Sequence, residues 1–201
     1  TISQYNYILD FRSWIYDLGE LTFPTWDRLT DIPDKGPFVL KGAVSSRKHD
    51  WSKLMFAEDK KKAIEIYYKL SDDGLIGQQE IFIRKYVPLK KLLTGINNLP
   101  ISKEFRFFIY ADTILAKAFY WGSYADELTN IPDPEEVPTE FLQEVMCRVG
   151  QNVSAYVVDI AQTETNDWIV VELNAFEQSG LNGTINPVEL YSNLFAAMSE
   201  K

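Results

Sequence analysis

Histidine and cysteine are nearly absent: one of each in 201 residues. A single histidine, His49, excludes a histidine dyad and a histidine-rich metal site; it reads as a surface loop residue. A single cysteine, Cys147, excludes an internal disulfide and a cysteine-based zinc site, which fits a reducing, cytoplasmic setting. It lies in an apolar helical stretch and reads as packing, not as a nucleophile. Glycine is also scarce, at 10 residues, and no Walker or dinucleotide-binding loop is present. No apolar run reaches the roughly 18–20 residues of a membrane span. Positive charge is in the minority: 20 Lys and Arg against 29 Asp and Glu leave a net charge of −9. Such a surface argues against nucleic-acid and anionic-membrane partners, though not against a local basic cleft.

What is present is apolar and aromatic, 46% and 14% of the chain, enough for one sizeable core or two small lobes. The chain opens on Thr1 rather than methionine, as expected of a processed or truncated N-terminus. Amphipathic spacing predicts helices over Tyr5–Leu18, Ala57–Leu70, Pro138–Val149 and Pro187–Met198. Short strands are expected at Phe38–Lys41 and Glu80–Val87, and a loop or short insert over 88–103. An acidic, proline-marked loop follows at 126–138. Strand runs with helices beside them favour an α+β fold.

Two hairpins carry the chemistry. In Tyr156–Asn174 (YVVDIAQTETNDWIVVELN) two apolar strands flank a polar turn. If Thr163 and Trp168 close the loop, Asp159 falls directly opposite Glu172, and Asn174 shares the face of Glu172. Facing carboxylates repel unless a cation lies between them, and hard oxygen donors suit Mg²⁺. A solvated hairpin face would also carry acids, but the apolar neighbours argue for a strand covered on both faces. In Glu104–Trp121 (EFRFFIYADTILAKAFYW) an Ala111–Asp112 turn predicts that Arg106 and Lys117 are direct cross-strand neighbours. Two facing cations are unfavourable unless an anion such as a triphosphate joins them.

Upstream, Lys41 ends an apolar strand, and the loop after it holds Ser45, Ser46, Arg47 and Lys48, a donor-rich flap able to cover phosphates. Arg84 and Lys85 are adjacent on one strand, so alternation sends them to opposite faces. Lys60, Lys61 and Lys62 read as a solvated helix face.

Taken in order, a strand lysine, a Ser/Arg/Lys loop, a strand Arg-Lys, Glu-Phe-Arg, a further lysine and Asp…Glu-x-Asn resemble the ATP-grasp fold. The pattern is most similar to the bacterial and phage clade defined by an arginine and two lysines. It is also similar to the eukaryotic cell-division-cycle ATP-grasp proteins that assist assembly of a translation initiation factor. The resemblance covers about residues 38–195. It implies two α+β lobes with antiparallel sheets enclosing a nucleotide cleft. Residues 1–37 would be a reduced or truncated region before the grasp, 38–87 the small lobe and 88–201 the large lobe. It implies ATP and Mg²⁺ as cofactors. Lys41, with the Ser45, Ser46 and Lys48 loop, would contact phosphates, and Lys85, Tyr86 and Val87 the adenine. Arg106 and Lys117 would hold the γ-phosphate, and Asp159, Glu172 and Asn174 the metal.

The activity so implied is carboxylate–amine ligation through an acylphosphate, with an unknown acid and amine as substrates. An alternative is a non-catalytic, ATP-dependent assembly factor with a protein partner, favoured if Tyr120, Trp121 and Tyr124 are exposed. A nucleotidyltransferase with Lys41 as nucleophile is disfavoured, because Gly42-Ala43-Val44 follow it instead of Asp-Gly.

Overall fold

The computed structural model describes residues 1–199. Two compact units divide the chain. The first comprises Thr1–Thr22, Leu89–Leu92 and Ser102–Lys201, the second Phe23–Pro88 and Leu93–Ile101. Residues 1–37 are thus shared between the units.

In the second unit a four-stranded antiparallel sheet runs β1 (Thr25–Trp26), β4 (Ile81–Lys85), β2 (Phe38–Gly42), β3 (Phe56–Ala57). Helix α3 (Lys60–Ser71) starts where the Asp59 side chain accepts from the Lys62 N–H. It buries Ala63, Ile66 and Leu70, a helical i, i+3, i+7 stripe, against Phe38, Leu40 and Ile83 of the sheet. Each fully buried Leu or Ile contributes about 1.5–3 kcal/mol. The expected helix start at Ala57 falls later because Phe56 and Ala57 pair with Val39 and Phe38.

The first unit is built on a sheet in the order β10 (Trp168–Ala175), β9 (Ala155–Gln162), β7 (Glu104–Tyr110), β8 (Thr113–Phe119). Helix α5 (Pro187–Ser199) lies on the face that carries Phe108, Ala118 and Val157, and Leu190 is buried in that cluster. Helix α4 (Thr139–Gly150) buries Leu142, Val145 and Val149. Cys147 falls between them and is exposed, so it does not serve the packing expected of it. The expected single helix over Tyr5–Leu18 is instead two, α1 (Ile2–Leu9) and α2 (Phe11–Leu18). Asp10 leaves the helical region at φ −82°, ψ 93°, and its side chain caps α2 by accepting from the Arg12 N–H. Gly19, at φ 52°, ends α2 in the left-handed region. Residues 88–103 hold a short two-stranded sheet, β5 (Lys91–Thr94) with β6 (Pro100–Ser102).

Candidate functional site

The polar centre of the first unit lies on one sheet face, and strand register builds it. Glu172 pairs with Asp159, and Asp159 pairs with Arg106, which in turn pairs with Ala118. Directly paired residues share a face, so Glu172, Asp159 and Arg106 form one cross-strand row. Asn174 lies two residues along β10, on the side of Glu172.

Arg106 and Asp159 are 7% and 1% exposed. The guanidinium forks onto the carboxylate: Nε donates to Oδ1 and Nη2 to Oδ2, each at 2.8 Å. Asn174 Nδ2 adds a bond to Oδ2 at 3.2 Å. The other arm of Arg106, Nη1, donates to the Gly180 carbonyl at 3.0 Å and Asn182 Oδ1 at 3.4 Å. Its Cζ lies 4.8 Å from the Tyr120 ring centroid. Burial works against the charge on Arg106. The bonds and charge of Asp159, with Tyr120 and Glu172 behind it, outweigh that and hold its pKa above the ordinary value.

The loop after β10 is held close to the segment after β8. A Cβ on Gly122 would lie 2.1 Å from the Asn182 carbonyl oxygen. Gly122→Ala is therefore expected to cost about 1–3 kcal/mol, read as a lower midpoint in chemical denaturation. An unchanged midpoint would mean that this loop yields without cost.

The two bulges alter the expected register. In the first hairpin Tyr110 pairs with Thr113, as the Ala111–Asp112 turn requires, but the register steps between Phe108 and Ile109. Beyond it Lys117 faces Phe107 and Arg106 faces Ala118. The expected Arg106–Lys117 pair does not form, because Leu115 is extra on β8. Its carbonyl accepts from Asn193 Nδ2 of α5 at 2.8 Å. Lys117 sits on the opposite face from Arg106, where Nζ meets Glu135 at 2.6 Å. In the second hairpin Trp168 pairs with Gln162, not Thr163, and a step between Val170 and Glu172 restores the Asp159–Glu172 pair.

In the second unit Lys41 and Arg84 are 7% and 5% exposed. Lys41 pairs with Phe82, and Val39 with Arg84. Both cations therefore share the sheet face opposite Leu40 and Ile83, which belong to the core. Arg84 stacks 4.4 Å over the Phe23 ring, and Nε reaches Thr25 Oγ1 at 3.3 Å. Arg84 was absent from the expected site; its signal was the period-two rule, which admits only one of Arg84 and Lys85 to the face of Lys41. Lys85 faces the other way and is exposed. The backbone N–H groups of Lys85 and Tyr86 bond to the carbonyls of Pro24 and Pro37 at 2.8 and 3.0 Å. The Tyr86 ring meets that of Phe56 edge-on at 5.0 Å.

Ser45, Ser46 and Lys48 are half-buried on a loop that is anchored at both ends. The N–H groups of Ala43 and Val44 bond to the Glu80 carbonyl and Gln79 Oε1 at 3.0 and 3.1 Å. Arg47 forks onto Asp73 at 2.9 and 2.6 Å, so its guanidinium is committed to the protein. Arg47, and then the N–H groups of Ile76 and Leu75, hold the Asp73 carboxyl well below the usual range. A carboxyl depressed on folding adds stability above its unfolded pKa and loses it as pH falls through the folded value. Melting curves of the parent and Asp73→Asn are thus expected to differ at neutral pH and to converge only well below pH ~4. Convergence nearer neutrality would show that the pair is not what anchors the loop.

Tyr120, Trp121 and Tyr124 are half-buried, so they do not form the exposed aromatic surface that would favour a docking partner. Among the described residues, no three His, Cys, Asp or Glu side chains cluster to hold a metal. The donor set at β9–β10 is two carboxylates and an amide. That set fits Mg²⁺, which commonly takes one or two carboxylates and completes its shell with phosphate oxygens and water. No described helix is long and apolar enough to cross a membrane.

The fold is shared with solved structures of low sequence identity. Cdc123 from Schizosaccharomyces pombe matches with a TM-score of 0.59 at 14% identity, over 93% of this chain and 92% of that one. A RimK domain protein ATP-grasp from Sphaerobacter thermophilus matches at 0.56 and 13%, over 96% and 67%. The ATP-grasp ligase PsnB, complexed with minimal precursor, Mg and ADP, matches at 0.58 and 12%, over 98% and 61%. No curated protein matches. Residues 28–194 match the model of an ATP-grasp domain family, the third family of the clade named for one arginine and two lysines, and the chain belongs to that family.

Proposed function

We propose that the chain binds ATP with Mg²⁺ and joins a carboxylate to an amine through an acylphosphate. The observation that carries this reading is the row Glu172–Asp159–Arg106, with Asn174 beside it. It places a buried, forked cation next to paired oxygen donors on one sheet face. Asp159, Glu172 and Asn174 are assigned to the metal, which when bound would neutralise charge on the phosphates. Arg106 is assigned to the γ-phosphate: its charge, aimed by the fork onto Asp159 and offered through the Nη1 arm, would stabilise charge that builds on the transferring group. Lys117 is not given this role, since it faces away from Arg106.

In the second unit Lys41 is assigned to the α- and β-phosphates and Arg84 to the same sheet face. Lys85, Tyr86 and Val87 are assigned to adenine, and Ser45, Ser46 and Lys48 to phosphate oxygens. A substrate carboxylate oxygen would attack the γ-phosphorus while the bond to the bridging oxygen breaks and ADP leaves. An amine would then displace phosphate. The protein's part is positioning and charge compensation, without a side-chain nucleophile.

Calorimetric titration with β,γ-imido-ATP, with and without Mg²⁺, tests this. Magnesium-dependent binding is expected, followed by ADP release from ATP when acids and amines are supplied together. Absence of binding in both conditions would overturn the reading. Binding without ADP release across acids and amines would favour the non-catalytic assembly factor instead.

A further inference from the structure

Glu104 is 2% exposed and lies two residues before Arg106, on the same face of β7. A carboxylate at that depth requires donors. Its Oε2 accepts from Ser102 Oγ at 3.0 Å and from the Trp121 indole Nε1 at 3.2 Å. The indole also reaches Ser102 Oγ at 3.3 Å. The backbone adds a tie, since the Tyr120 N–H donates to the Glu104 carbonyl at 2.8 Å. These bonds fix the two residues that follow β8. The Tyr120 and Trp121 rings then meet edge-on, with centroids 4.9 Å apart and planes at 81°. On Tyr120 rests the Arg106 guanidinium, 4.8 Å from the centroid.

We propose that Glu104 is a positioning residue: by anchoring Trp121 it fixes the Tyr120 ring on which Arg106 lies, and so sets the aim of the guanidinium at the γ-phosphate. Asp159 fixes Arg106 from one side of the row, and the aromatic pair held by Glu104 supports it from the other. This rests on Arg106 being the γ-phosphate ligand. A carboxylate with a purely structural role would contribute to stability alone, and its loss would weaken all nucleotides alike.

The experiment compares affinities for Mg²⁺ with β,γ-imido-ATP and for Mg²⁺ with ADP, by calorimetry. The proteins are the parent, Arg106→Lys, Trp121→Phe, Glu104→Ala and Glu104→Gln. Arg106→Lys is expected to reduce the preference for the triphosphate. Trp121→Phe removes the indole donor and part of the ring while keeping an aromatic side chain, and is expected to reduce that preference about three- to thirtyfold, the span of a partly buried cation–π contact, with ADP affinity unchanged. Glu104→Ala should do the same and Glu104→Gln, which keeps an acceptor oxygen, should restore most of it. If Glu104→Ala does not fold, Trp121→Phe decides. A preference lost in Arg106→Lys but kept in Trp121→Phe overturns the role of Glu104 and leaves that of Arg106 standing. An unchanged preference in Arg106→Lys overturns both.

Discussion

Arg106→Ala is expected to lower stability by about 3–5 kcal/mol, because it strips the cation from a carboxylate that is buried. Asp159 is 1% exposed, and both its oxygens receive the guanidinium. Urea denaturation measures the effect, and Arg106→Lys is the companion: it keeps the charge but not the fork, so about half of the loss should return. An unchanged midpoint in Arg106→Ala would mean that the pair is effectively solvated. The same variant that remains folded should bind ADP better than it binds β,γ-imido-ATP.

Glu172→Gln and Asp159→Asn are expected to separate metal binding from folding. Glu172 is half-buried at the end of the row, and its loss should lower the magnesium-dependent gain in ATP affinity at least about tenfold, or about 1.4 kcal/mol. Stability should change by no more than about 0.5 kcal/mol. Asp159→Asn should lose the same gain and also about 3–5 kcal/mol of stability, since Arg106 is left as the uncompensated buried charge. The sequence alone predicts that both variants keep the fold nearly intact; the forked pair with Arg106 separates them. Titration with and without Mg²⁺, beside urea denaturation, checks each arm. Equal magnesium gains in the parent and Glu172→Gln would remove Glu172 from the metal site.

The hairpins were legible because alternation and turn residues are local signals. Asp159 opposite Glu172 could be counted from the residues, and the structure has that pair. The route to it was different, since the loop pairs Trp168 with Gln162 and the register steps later. Nothing in Val170-Val171-Glu172 or Ile114-Leu115-Ala116 marks a bulge, and one unseen step was enough to separate Arg106 from Lys117. The pairing of Arg106 with Asp159 was out of reach for another reason. It joins strands of two hairpins 53 residues apart, and no turn fixes that register. The break at Asp10 was accessible in principle, since aspartate is among the preferred N-cap residues. In the second unit the alternation rule left Arg84 and Lys85 undecided. The core contact of Phe38, which pairs with Lys85 rather than Arg84, decides it.

The bulge at Val171 also divides the second hairpin into two parts that can vary separately. Residues toward the Thr163–Asp167 turn follow one register and those toward Asn174 another. The partners of Glu172 on the second side are held by β7, not by the turn. Inserting or deleting residues in the turn would then be absorbed before the carboxylates, and deleting Val171 alone would remove the bulge while leaving Glu172 opposite Asp159, whereas deleting Leu173 would turn Asn174 to the other face. Loop-length variation and loss of the bulged valine both leave the carboxylate pair in place, and a one-residue loss between Glu172 and Asn174 does not.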